Sequence, residues 1–249
     1  MISKAKLKDF SGYRMAKTCE GENVFVVEGP KMCREALSAG LPVRAICATA
    51  SWLQSNDVAG CGGEVYEVSD AELERLSLQK SPNQVWMLLS RAFTPLCQPR
   101  EHGLTLVLDR LQDPGNMGTI IRTADWFGVR HIVCSPDTVS CFNPKVVQAT
   151  MGGIFRTRVD YRPLEPLLQQ AGAQGRRIYG ALLDGESLYS TPLDASDALL
   201  IIGNESRGIS AEVQRYVTHR LLIPNIGGTC ESLNASVATA ILLSHFHQG

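Results

Sequence analysis

Five consecutive apolar residues, Ala198-Leu199-Leu200-Ile201-Ile202, run directly into the turn-forming block Gly203-Asn204-Glu205-Ser206-Arg207-Gly208. An apolar run of this length, bounded by glycine, reads as a strand. A strand ending in Gly with Asn, Glu and Ser sets backbone N–H groups and short polar side chains at the carboxyl edge of a sheet. That edge is where open α/β sheets bind ligands. Two more polar blocks sit beside strand-like sequence. One is Asp113-Pro114-Gly115-Asn116-Met117-Gly118, with Arg122 following at helical spacing; the other is Ile223-Pro224-Asn225-Ile226-Gly227-Gly228, leading to Glu231-Ser232-Leu233-Asn234. Three such edges in one domain predict a single composite site.

The flanking sequence alternates in the same way. Residues 23–28 read as a short buried strand, and Gly29-Pro30 opens a helix closed by Gly40. Strands are predicted at 43–48, 65–68 and 85–90, with a short helix at 52–55. Ser69 caps a helix to about Leu76, and Glu72 completes a capping box. Residues 1–92 therefore form a small α/β domain. Residues 93–103, with two prolines, read as a linker. The second domain, 104–249, carries strands at 104–108, 131–135, 177–183, 199–202 and 220–223. Helices fall at 117–127, 143–150, 211–216 and 233–247. This order predicts a mostly parallel sheet with helices on both faces.

A net charge of −1 over 249 residues does not by itself indicate a nucleic-acid binder. The first 17 residues are different: Lys4, Lys6, Lys8, Arg14 and Lys17 stand against Asp9 alone. Such an arm can contact phosphates, and equally can be a solvated terminal helix. Eight cysteines include no Cys-x-x-Cys pair and no zinc-finger spacing, so no metal is expected. Scattered thiols in apolar runs, no signal-like N-terminus and no run of membrane-spanning length give the expectation of a soluble, cytoplasmic protein.

Each block has an ordinary reading beside a chemical one. In the first, Gly115 and Gly118 permit close backbone approach and Asn116 can cap the helix. Arg122, six residues on, offers a five-donor fork suited to phosphate. Alone, this is equally a capped helix with a surface arginine. In the second, Gly203 and Gly208 flank Glu205, an orienting acceptor. The block is neither a dinucleotide fingerprint nor a phosphate-binding P-loop. In the third, Ser232 or Glu231 can cap a long helix of small apolar residues, which leaves Asn234 free for another task. That small-residue helix suits close helix packing or a subunit interface.

Together the blocks resemble the SpoU (TrmH) family of RNA ribose 2′-O-methyltransferases, in the SPOUT superfamily. Asn116, Gly118 and Arg122 match its Asn-x-Gly-x-x-x-Arg pattern; Gly203, Glu205 and Gly208 match Gly-x-Glu-x-x-Gly; Ile223-Pro224 and Ser232-Leu233-Asn234 match the third block. Order and spacing agree over about 120 residues. Residues 1–90 are similar, more weakly, to the ribosomal-protein-like substrate-binding domain often found before the catalytic one, through Phe25-Val26-Val27-Glu28-Gly29 and Leu76-Ser77. Three positions depart: Asn225 stands where the family usually has Met, the loop from Pro224 to Ser232 is about one residue longer, and Ala235 replaces a common Val.

The resemblance implies a catalytic domain whose mostly parallel sheet holds a trefoil knot, an exception to unknotted chains, and S-adenosyl-L-methionine as cofactor. It implies cofactor contacts at Ile202, Gly203, Asn204, Gly208, Ile223, Ser232 and Leu233, and a catalytic set of Arg122, Asn116, Glu205, Ser232 and Asn234. It also implies a homodimer sharing its site, with no membrane, and structured RNA as substrate, ribosomal favoured over transfer RNA. No histidine occupies the blocks, and an arginine with pKa above ~12 is an awkward base. Arg122 is therefore expected to bind phosphate and stabilise the developing alkoxide. Two other readings are a catalytically inactive RNA-binding protein of the same fold and a nicotinamide-dependent oxidoreductase. The intact polar set opposes the first, and the missing glycine fingerprint opposes the second.

Overall fold

The computed structural model describes residues 1–79, 81–92, 95 and 103–247. The chain divides into two compact units. One comprises Met1–Leu96 with Phe142–Gly152, the other Cys97–Cys141 with Gly153–Gly249. Most of the segment predicted as a linker lies outside the described residues.

In the first unit the elements are α1 (Lys4–Ser11), α2 (Ala16–Gly21), β1 (Val24–Glu28), α3 (Pro30–Ser38), β2 (Val43–Ala48), α4 (Ala50–Ser55), β3 (Glu64–Glu67), α5 (Asp70–Leu76) and β4 (Val85–Ser90). The sheet runs β1-β4-β2-β3, antiparallel except for the β2–β3 pair. The capping box is present: the Ser69 hydroxyl accepts from Glu72 N–H, and the Glu72 carboxylate accepts from Ser69 N–H. Leu7, Phe10, Tyr13, Leu73, Leu76 and Trp86 close one core, with the Phe10 and Trp86 rings stacked at 5.5 Å. The two phrases that carry this domain's resemblance meet in space. The Ser77 hydroxyl donates to the carboxylate of Glu28, whose other oxygen accepts from Leu78 N–H. Burial raises the Glu28 pKa against the opposing pull of these bonds.

The second unit contains β5 (Thr105–Leu108), α6 (Pro114–Trp126), β6 (His131–Cys134), then, after α7 (Pro144–Thr150), β7 (Arg158–Tyr161), α8 (Leu164–Ala173), β8 (Arg177–Ser187), β9 (Ala198–Ile202), α9 (Ala211–Gln214), β10 (His219–Leu222) and α10 (Ala235–Phe246). The six strands run β10-β8-β9-β5-β6-β7, and every pair is parallel. Both faces of the middle strands are covered, which is why Ala198–Ile202 is apolar at every position and buried throughout. Val107, Val133, Leu199 and Ile201 pack on one face with Leu164 and Leu168 of α8.

Several expectations need correction. β7 and α8 were not predicted. Arg158-Val159-Asp160-Tyr161 is a partly exposed edge strand without an apolar run. Pro163 and Pro166 disguise the helix, although proline is tolerated in a first turn. β8 continues four residues past its predicted end. α7, placed by sequence order in the 104–249 domain, clusters with the first unit: the Phe142 ring packs on Phe25 at 5.0 Å and under Arg91. α6 starts at Pro114, earlier than expected, because Asp113 is its N-cap and Pro114 suits the first turn.

Candidate active site

The first strand of the second unit, β5, lies at the switch point of its sheet. Its neighbours are β6, next in the chain, and β9, which returns much later. The carboxyl ends of β5 and β9 therefore emerge side by side, and the first two polar blocks with them.

The turn after β9 is closed by its own residues. Asn204 and Gly208 exchange main-chain hydrogen bonds at 3.0 and 2.9 Å. Asn204 Oδ1 accepts from Ser206 N–H, the Ser206 hydroxyl and Arg207 N–H. Gly203 has no alternative: a Cβ there would lie 2.1 Å from the Gly208 carbonyl carbon. Asn204 Nδ2 donates to the carbonyl of Arg110 at 2.8 Å, tying this turn to the one after β5. Arg110 sits in the left-handed region at φ +58°. Its N–H donates to the Ser135 hydroxyl.

Glu205 reaches from the turn to the start of α6. Its Oε1 accepts from Asp113 N–H at 3.0 Å and from Asn116 Nδ2 at 3.1 Å, and its Oε2 accepts from Gln112 N–H at 3.3 Å. Burial works against the ionised form, but the Asn116 amide and main-chain donors outweigh it and hold the carboxyl below the ordinary glutamate range. Glu205 is thus an ionised clamp rather than a proton carrier near neutral pH.

Asn116 is not the helix cap. Asp113 Oδ1 accepts from Asn116 N–H at 2.7 Å, and the buried Asn116 side chain is free to bridge. Its Oδ1 accepts from Nδ2 of Asn234 at 2.8 Å. Asn234, not Ser232, caps α10: its Oδ1 accepts from Ser236 N–H and Val237 N–H. α10 accordingly begins at Ala235 rather than at the predicted 233. A continuous chain of hydrogen bonds, Asn234 to Asn116 to Glu205, joins all three blocks.

Beside this chain lies a cavity of about 1030 Å³, just above the roughly 300–1,000 Å³ usual for ligand sites. Ile202, Gly203, Asn204, Gly208, Ile223, Ser232 and Leu233 all line it, as does Glu205. Ser232 is exposed and its hydroxyl has no hydrogen-bond partner among the described residues. Apolar side chains from Ile202, Ile223 and Leu233 beside main-chain polar groups of the Gly203–Gly208 turn suit a ligand with a flat heteroaromatic ring.

Arg122 is the expected site residue that the fold does not bring in. It is exposed, without a hydrogen bond or ion pair among the described residues. Gly115, Thr119, Arg122 and Trp126 form the outward stripe of α6, opposite buried Met117, Ile120, Ile121 and Ala124. Sequence reasoning missed Asp113 as the cap, although Asp-Pro before an apolar helical pattern is a start signal. It also missed the Asp184–Arg220 pair, 2.6 Å apart, on the cavity wall, for which the sequence holds no local signal.

A model of the SpoU rRNA Methylase family matches residues 103–244, and a model of the MRM3-like substrate binding domain matches residues 4–86. The chain is 30% identical over 240 residues to the 23S rRNA (guanosine(2553)-2′-O)-methyltransferase RlmP of Bacillus subtilis, covering 96% of this chain and 95% of that one. A Porphyromonas gingivalis structure assigned to the TrmH family of RNA methyltransferases superposes with a TM-score of 0.87. It is 40% identical, covering 99% of this chain and 98% of that one. An AdoMet-bound rRNA methyltransferase from Sinorhizobium meliloti gives a TM-score of 0.87 at 27% identity, covering 99% and 95%.

Proposed function

The chain belongs to the SpoU rRNA methylase family, and from that premise we propose that it transfers a methyl group from S-adenosyl-L-methionine to a ribose 2′-hydroxyl of structured RNA, ribosomal RNA in preference to transfer RNA. The observation that carries this reading is the Asn234–Asn116–Glu205 chain beside a cavity lined by the middle of β8 and the ends of β9 and β10. It draws three distant sequence blocks into one polar edge where a cofactor and a ribose can meet.

Ile202, Gly203, Asn204, Gly208, Ile223, Ser232 and Leu233 would hold the cofactor, which supplies an electrophilic methyl. The cavity's apolar walls and main-chain groups fit an adenosine. A ribose hydroxyl is a poor nucleophile, so the site must stabilise negative charge on its oxygen. Arg122 fills this role by gripping the adjacent phosphate with its fork and facing the developing alkoxide. Asn116, Glu205 and Asn234 hold the loop before α6 rigid, and Ser232 remains free to orient the ribose.

Arg122 is exposed on the outward stripe of α6 and does not line the chain's own cavity, which supports a homodimer in which it serves the partner's site. Trp126 and Val237, 84% and 47% exposed on the neighbouring helices α6 and α10, support an isologous interface there. The reading includes a trefoil knot at the C-terminal end. In its support, the N-cap of α10 lies within hydrogen-bond reach of Asn116 in the first turn of α6, so the C-terminal segment returns to the first block. Residues 1–92 act as the RNA substrate-binding domain, with exposed Lys4, Lys8, Arg14 and Lys17 available to phosphates. Among the described residues no helix is long and apolar enough to cross a membrane. Buried free thiols at Cys19, Cys33, Cys47 and Cys134 suit a reducing, cytoplasmic compartment.

The test is methyl transfer from tritiated S-adenosylmethionine to total bacterial RNA, separated into ribosomal and transfer fractions, with Arg122→Ala alongside. Label in the ribosomal fraction, absent with the mutant and recovered in alkali-resistant dinucleotides, is the expected result. Cofactor binding without label in either fraction would favour the inactive RNA-binding alternative.

A further inference from the structure

Residues 223–233 connect β10 to α10 and form one wall of the cavity, yet ordinary packing does not hold them. Among the described residues, no main-chain to main-chain hydrogen bond involves any of them, and residues 225–233 are all exposed. One side chain supplies what order the loop has. Asn225 Nδ2 donates to the carbonyls of Gly228 and Cys230, each at 3.1 Å, and its Oδ1 accepts from Gly228 N–H at 2.7 Å. Gly227, at φ +85°, lets the chain reverse inside this ring. A Cβ on Gly228 would come within 3.1 Å of Asn225 Oδ1, so the close approach depends on glycine.

We propose that Asn225 is a positioning residue for the cofactor: it staples the 223–233 loop into the shape that closes the cavity. Resting on the reading of the cavity as the S-adenosylmethionine site, this names a determinant of cofactor affinity. A loop without main-chain hydrogen bonds of its own is an ensemble that must be ordered on binding. A side chain that orders it beforehand removes that cost from the binding step. The cavity is walled here by Asn225, Ile226, Gly228, Cys230, Ser232 and Leu233, so the staple acts on ligand contacts directly.

The experiment titrates S-adenosylmethionine alone into the full chain by calorimetry, for the natural protein, Asn225→Ala and Asn225→Asp, with thermal melts and steady-state kinetics on each. Asn225→Ala should weaken cofactor binding about tenfold, the scale of one to two net hydrogen bonds. KM for the cofactor should rise in step, while kcat at saturation stays within about twofold. Asn225→Asp keeps the acceptor but sets a carboxylate oxygen against the Gly228 and Cys230 carbonyls, so its affinity should fall at least as far as that of Asn225→Ala. Tm should not move, because residues 225–233 are all exposed. Unchanged cofactor affinity in Asn225→Ala would overturn the proposal. So would an affinity loss matched by a fall in Tm, which would make Asn225 a stability residue. Failure of the natural protein to bind the cofactor would instead bring down the reading of the cavity, and is distinguished by that arm alone.

Discussion

Asn234 donates its side-chain amide to Oδ1 of Asn116 at 2.8 Å, across 118 residues of chain, while its own Oδ1 caps α10. One residue thus does two jobs that substitution can separate. Serine also caps helices but is too short to reach Asn116. Asn234→Ser should keep stability within about 1 kcal/mol of the natural protein and still lose methyl transfer. Asn234→Ala should lose both. Thermal melts beside the tritium assay check this, and equal behaviour of the two mutants would refute the division of labour.

Removing Asn116 leaves the Glu205 carboxylate short of one donor and Asn234 Nδ2 without an acceptor. Groups in one network do not add independently. In a double-mutant cycle, Asn116→Ala and Glu205→Ala should couple by about 0.5–3 kcal/mol in unfolding free energy. A coupling near zero would mean the chain of bonds contributes nothing to holding the site.

Arg122 has the opposite profile. Its side chain is exposed and unpartnered among the described residues, so Arg122→Lys should change stability by no more than about 0.5 kcal/mol. The lysine keeps the charge but lacks the planar fork. Turnover should fall about a hundredfold, the scale of losing one charge-stabilising donor. Full turnover in Arg122→Lys would leave only charge, and no geometry, to the arginine.

The depressed pKa of Glu205 makes a pH prediction with a definite sign. A carboxyl whose folded pKa lies below its unfolded value adds stability above the unfolded pKa, and that contribution is lost as pH falls through the folded value. The natural protein should be more stable than Glu205→Gln by about 1–2 kcal/mol at pH 7, allowing for partial exposure of the group. The difference should shrink as pH drops below about 4.5, near the unfolded glutamate pKa. Denaturant melts of both proteins at several pH values measure it, and a gap that does not narrow in acid would contradict the clamp.

The 2′-hydroxyl is both nucleophile and the mark of RNA. Replacing the single target ribose by deoxyribose should abolish methyl transfer to that oligonucleotide while leaving its binding within about threefold, because phosphate contacts dominate affinity. Methylation of the deoxy substrate would exclude ribose O-methylation.

Much of this architecture was legible in the residues, because it depends on local rules. The apolar run Ala198–Ile202 ending in glycine defines a central strand and its binding edge without help from the rest of the chain. The capping box at Ser69 and Glu72 is equally local, and so is Gly29-Pro30 at the start of α3. The three blocks mark a composite site because each supplies its own turn chemistry.

What only the tertiary structure decided was partnership. Asn116, Glu205 and Asn234 meet because the strand order brings β9 beside β5 and returns the chain to α10, and no spacing in the sequence encodes that order. The same long-range choice assigns the caps: Asp113 and Asn234 were selected over Asn116 and Ser232, since several nearby side chains could serve and only the surrounding contacts discriminate. β7 and α8 stayed hidden because an edge strand buries little and Pro166 imitates a helix stop. Arg122 was recognisable by its position in a pattern, but its direction follows from which face of α6 the core buries. The pattern identifies the residue, and packing determines that it is exposed on the outward stripe of the helix.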